Sequence, residues 1–167
     1  ALFAFLLYRV ARLGGSKGLV AITLISFVVR QAVGVALYLV SLLGLPIFVS
    51  LQLPNGFWAF APDAVAYQDT AMATLNGLAH GQWPSDVSFA TLLAGIYFVF
   101  GSSVPQALVF NAALAAACVP LAYLVATSLG LAGSRALVAT GVVAFWPSSF
   151  AWSGQLLKDP LDWFGTF

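Results

Sequence analysis

The chain of 167 residues is 62% hydrophobic and only 7% charged, with a formal net charge of +1. Soluble domains carry about 25% charged residues, so the composition excludes a soluble globular protein, a disordered tail and a nucleic-acid-binding protein, and makes membrane lipids the expected surroundings. The single cysteine, Cys118, excludes an intramolecular disulfide and a cysteine-based metal cluster.

A transmembrane helix needs about 20 consecutive apolar residues, and residues 1–17 do not supply them. Ala1 to Tyr8 is a short apolar run followed by Arg9, Arg12, Gly14, Gly15 and Lys17. It reads as a cytoplasmic or interfacial leader whose basic groups reach lipid headgroups, or as the end of a further span. The first full span is expected over 18–46, with Arg30 and Gln31 inside it and Gly44 and Pro46 stopping it.

An outer loop over 52–104 follows, punctuated by Pro54-Asn55-Gly56, Pro62-Asp63, Gly77, Gly81 and Pro84. It carries helical stretches over 63–79 and 86–100. The second is too short to span and is expected to lie on the membrane or within protein. A second span is expected over 105–129, through an alanine-rich run whose small residues let helices approach closely, with a kink at Pro120. A turn at 130–134 leads to a third span over 135–152, whose far interface is marked by Trp146, Pro147 and Trp152. A fourth helix starts at Pro160. Residues 18–167 thus read as a single transmembrane domain of the all-α class: polytopic, with an extracytoplasmic loop of short interfacial helices. The chain starts without methionine and stops inside an apolar helix, so it reads as a fragment of something longer.

Charge sets the expected orientation. Arg9, Arg12, Lys17 and Arg135 fall on one side and Lys158 on the other, which puts the N-terminus in the cytoplasm. The five acidic residues, Asp63, Asp69, Asp86, Asp159 and Asp162, then lie at or just below the outer face. Two aspartate-bearing segments far apart in sequence converge there, and that convergence points to a site.

Several familiar constellations are missing. The only histidine is His80, so no paired-histidine zinc motif exists, and Gly14-Gly15-Ser16-Lys17-Gly18 lacks the spacing of a phosphate loop. What remains is the stretch from Pro62-Asp63 through Tyr67 and Asp69, and the later stretch from Trp152-Ser153 to Lys158-Asp159. On a helix, Asp63, Tyr67, Thr70 and Thr74 share one face, so a carboxylate and hydroxyls line a common groove, while Asp69 points about a third of a turn away.

Taken in order, the chain has a first span containing an arginine, a D-x-x-x-Y-x-x-x-A loop from Asp63 to Ala71 and a helix ending in Phe100-Gly101. Two spans follow, then a P-x-x-x-x-W-S-x-x-x-x-K-D segment from Pro147 to Asp159. Over residues 18–167 this resembles the N-terminal third of a GT-C membrane glycosyltransferase, most like bacterial relatives of the dolichyl-phosphate-mannose–protein mannosyltransferases. The resemblance implies an inverting enzyme of the bacterial inner membrane, acting on the periplasmic or exterior side. It would move a sugar from a polyprenyl-phosphate carrier to an acceptor hydroxyl. Asp63 matches the catalytic aspartate of the first loop, and Asp159 matches the acidic position of the second outer loop. Lys158 is placed to hold the carrier phosphate, and Tyr67, Asp69 and Arg30 are further substrate-binding candidates. Some members use a divalent cation and others do not, so the cofactor stays open and no metal ligands are assigned. Where many relatives carry paired prolines, this chain has Trp83-Pro84-Ser85-Asp86.

Plainer readings stand beside these. Asp63, Asp86 and Asp159 all sit where aspartate caps a helix. Arg30 can snorkel to an interface, and Lys158 can anchor at headgroups. The rival function is a non-catalytic accessory membrane subunit packed against partner membrane subunits in a larger complex.

Overall fold

The computed structural model describes residues 2–166, and these form helices and turns with no strand among them. Helix α1 (Leu2–Leu13) leads through Gly15 to α2 (Lys17–Leu42), whose first turn is capped by the Ser16 hydroxyl accepting from the Leu19 N–H. At 1.5 Å per residue, the 26 residues of α2 span about 39 Å, more than a bilayer's hydrocarbon core. The chain leaves α2 through Gly44 in the left-handed region and forms a small hairpin at Gln52–Trp58. Asn55 and Gly56 take the positive φ values its turn requires, and the Leu53 N–H donates to the Phe57 carbonyl at 2.8 Å.

This hairpin is fastened to the last turns of α2. The Ser41 hydroxyl lies 2.8 Å from both the Leu53 and Phe57 carbonyls, and the Trp58 indole N–H donates to the Leu37 carbonyl at 2.9 Å. Gly56 packs so close to Tyr38 that a side chain there would run into the ring. The fastening fixes where the next helix, α3 (Asp63–Ala79), starts.

Helix α4 (Phe89–Phe100) is capped by Ser88 and packs along α3. The Tyr97 hydroxyl donates to the Gln68 amide oxygen, and burial pushes that phenol's pKa up, keeping it a donor. Helix α5 (Val104–Ser128) carries Pro105 in its first turn, where no N–H is missed, and packs along α2. Residues from the hairpin, α3, α4 and the start of α5 share one core with Leu156 and Leu157. Helix α1 lies on α2 and α5, burying Leu7 and Ala11 and setting Phe3 against Phe110. Residues of the expected leader are therefore packed into the bundle.

The third expected span is not one straight helix. It divides into α6 (Ser134–Ala144) and α7 (Pro147–Ser153), bent by 49° at Phe145–Trp146. Pro147 lacks an N–H and forces the preceding Trp146 out of the helical region, to φ −64° and ψ 123°. Helix α8 (Asp159–Thr166) closes the described chain. Helices α2 and α5 are each long and apolar enough to cross a membrane, and the bent pair makes a third if it counts as one span.

Candidate functional site at the Asp63–Asp159 cleft

The starts of α3 and α8 face a common cleft of about 290 Å³. Asp63, Tyr67, Lys158 and Asp159 line it, with Phe60 and Trp152 as aromatic walls. Asp63 is the first residue of α3 and Asp159 the first of α8, so each carboxylate sits at a helix N-terminus, where the macrodipole favours negative charge by about 0.3–1 kcal/mol. These are first-turn positions and not caps: Pro62 is the N-cap of α3, neither carboxylate makes a capping hydrogen bond among the described residues, and α4 is capped by Ser88 where the sequence suggested Asp86. Neither carboxylate takes an ion pair among the described residues.

Lys158 serves α8 through its backbone, its carbonyl accepting from Leu161 at 2.8 Å and Asp162 at 3.0 Å. Its ammonium lies 3.7 Å from the Asp162 carboxylate, with both side chains more than half exposed. Such a pair contributes little to stability and leaves the ammonium available. Tyr67 is held edge-on against Phe89, with ring centroids 5.1 Å apart.

Two close contacts bring the later segment to the cleft. Gly34 of α2 and Gly154 meet backbone to backbone; a Cβ on Gly34 would lie 3.3 Å from the Gly154 Cα. From α5, the buried Asn111 amide donates to the Gln155 carbonyl at 2.6 Å and the Leu157 carbonyl at 3.1 Å. The sequence reading missed Asn111, although an amide leading into the alanine-rich run of an apolar helix was a usable signal.

Two candidates lie elsewhere. Asp69 is exposed on α3 and does not line the cleft. Arg30 is 2% exposed and sits at the α6–α7 break. Its Nε donates to the Ser26 hydroxyl at 3.1 Å. One terminal nitrogen donates to the Ser149 carbonyl and Ser153 hydroxyl at 2.8 and 2.9 Å. The other donates to the Ala144 carbonyl and Ser149 hydroxyl at 2.9 and 2.8 Å. The guanidinium also lies over the Phe150 ring, 4.6 Å from its centroid. All five N–H groups are used, so Arg30 has none left for a substrate. A membrane arginine costs about 2.5–3.5 kcal/mol to insert, and hydrogen bonds from a charged group return about 1.5–3 kcal/mol each. Arg30 is therefore a fastening of α2 to the bent pair.

The remaining clefts offer less chemistry. A groove of about 270 Å³ between α1 and α5 is lined by apolar side chains alone. A cavity of about 380 Å³ beside Arg30 meets a guanidinium that is already saturated. Among the described residues no three His, Cys, Asp or Glu side chains gather to hold a metal ion. No family model, curated protein or solved structure matches this chain.

Proposed function

We propose that the chain is part of a polytopic membrane glycosyltransferase whose cleft moves a sugar from a polyprenyl-phosphate carrier to an acceptor hydroxyl on the extracytoplasmic side. One observation carries this reading. Asp63 and Tyr67 from one half of the chain line the same cleft as Lys158 and Asp159 from the other, between aromatic walls. The basic turns support that orientation. Gly18 at the start of α2 meets Leu137 of α6, which draws Lys17 and Arg135 to one end of the bundle, and positive turns favour the cytoplasm.

In this mechanism Asp63 accepts the proton of the acceptor hydroxyl as that oxygen bonds to the anomeric carbon. The bond from that carbon to the carrier phosphate breaks on the opposite face, so the product is inverted and the phosphate leaves with the electron pair. A placed general base contributes about 10²–10⁴-fold in rate. Lys158 stabilises the phosphate as a point charge, and Asp159 binds sugar or acceptor hydroxyls. Tyr67 and Trp152 supply aromatic surface for the apolar side of the ring. If a divalent cation takes part, Asp63 and Asp159 are the carboxylates that would hold it, and it would supply positive charge to the leaving phosphate.

The test is transfer itself. The natural full-length protein, purified into nanodiscs, is given tritiated polyprenyl-phosphate-mannose and polyprenyl-phosphate-glucose with a membrane extract as acceptor. Release of label from the carrier onto a product supports the proposal. An intact carrier with both donors, together with co-purification at fixed stoichiometry with other membrane subunits, supports the accessory-subunit reading instead.

A further inference from the structure

We propose that Asn111 is the positioning residue of the Lys158–Asp159 half of the cleft; the inference rests on reading that cleft as the working site. Asn111 is 1% exposed within α5, beside Phe110 and the small residues Ala112 and Ala113. A buried amide is costly unless its N–H groups are used. Both N–H groups of Asn111 go to backbone carbonyls of the connector between α7 and α8, those of Gln155 and Leu157.

The second bond has a geometric consequence. The Leu157 carbonyl and the Lys158 nitrogen belong to one planar peptide unit. Holding that oxygen fixes the plane from which Lys158 and then Asp159 extend. The connector has little regular structure of its own at this point, since Gln155–Lys158 lies between helices. Leu156 and Leu157 are buried in the same core as Ala107 and Leu108 of α5 and Ala61 and Ala64 next to Asp63. Helix α5 therefore carries one cleft wall by packing and sets the other by a bidentate amide.

Three substitutions separate positioning from simple packing. Asn111→Leu keeps the size and removes both donors. Asn111→Asp keeps the shape and turns acceptors toward two carbonyls. Asn111→Gln keeps both donors on a longer arm. In the full-length protein with its native cysteines, Cys118 included, replaced by serine, cysteines placed at 63 and 159 are bridged with a short bis-maleimide in nanodiscs, and the cross-linking rate is measured by mass spectrometry. A control pair at 3 and 110 reports the α1–α5 contact.

Asn111→Leu and Asn111→Asp are expected to slow the 63–159 bridge about tenfold, as loss of two backbone anchors implies. The 3–110 bridge should be unchanged, and Asn111→Gln should fall between. Equal 63–159 rates in all folded variants, or equal slowing of both bridges, would overturn the proposal. If the Leu and Asp variants do not fold, the Gln variant decides on the same two rates. In the native-cysteine background the same substitutions should lower kcat for sugar transfer and raise the donor KM, because Lys158, which holds the carrier phosphate, is displaced together with Asp159. A slowed bridge in a protein that transfers no sugar would keep the positioning role and remove the glycosyltransferase reading. Full kcat in Asn111→Leu would overturn the positioning role itself.

Discussion

Arg30 holds Ser149 twice, donating to its carbonyl and to its hydroxyl at 2.8 Å each, although the two residues stand 119 positions apart. The break before Pro147 ends α6 at Ala144, and Arg30 takes the Ala144 carbonyl together with the Ser149 carbonyl and the Ser149 and Ser153 hydroxyls of α7. Lysine has three donors and no planar fork. Arg30→Lys is therefore expected to lose about 2–4 kcal/mol of stability, measured as the unfolding midpoint in mixed micelles. A lysine variant as stable as the native protein would show that the five bonds contribute nothing net.

The Gly34–Gly154 contact gives a second prediction. A Cβ on Gly34 would meet backbone, which cannot swing aside, whereas a Cβ on Gly141 of α6 meets open space. Gly34→Ala is expected to cost about 1–3 kcal/mol by overpacking, while Gly141→Ala gains about 0.5–1 kcal/mol from helix propensity. Equal midpoints for the two variants would contradict the close crossing of α2 over the end of α7.

Much of the helical layout was legible because long apolar runs bounded by proline and glycine leave few alternatives. Expectations over 18–46, 63–79 and 105–129 correspond to α2, α3 and α5. The division of 135–152 was not legible: Pro147 was read as an interface marker, and the partner that makes a break tolerable there, Arg30, is remote in sequence. For the cleft, an aspartate after Pro62 and another before Pro160 suggested helix starts on one side, and the structure has both lining one cavity. Asp69 and Arg30 look alike as candidates in a one-dimensional reading, because burial and partner identity depend on tertiary packing. The anchoring of the connector by Asn111 depends on backbone carbonyls, which carry no sequence signal.

Gly56 offers a third test. It has φ +87°, and Gly81 in an exposed turn has φ +76°. Alanine at either site pays for the left-handed conformation, about 1–2 kcal/mol. Only at Gly56 does the new Cβ also run into the Tyr38 ring, so Gly56→Ala should lower the midpoint more than Gly81→Ala does. An equal effect would mean the hairpin is not seated on α2.

The Lys158–Asp162 pair is exposed and runs from lysine to aspartate along the helix, the weaker order. Asp162→Asn is expected to change stability by less than about 0.5 kcal/mol and to lower the donor KM, because the ammonium is freed for the carrier phosphate. Lys158→Gln should raise that KM. A large loss of stability with no change in KM would make the pair a structural bridge.

The central claim is that the cleft, and not aspartate in general, performs the transfer. The most direct measurement compares sugar transfer by Asp63→Asn and Asp69→Asn in the full-length natural protein, both inserted normally in the membrane. The cleft account predicts that Asp63→Asn loses at least about 10²-fold in rate while Asp69→Asn stays close to native. Retained transfer in Asp63→Asn, or equal loss in both, would contradict it.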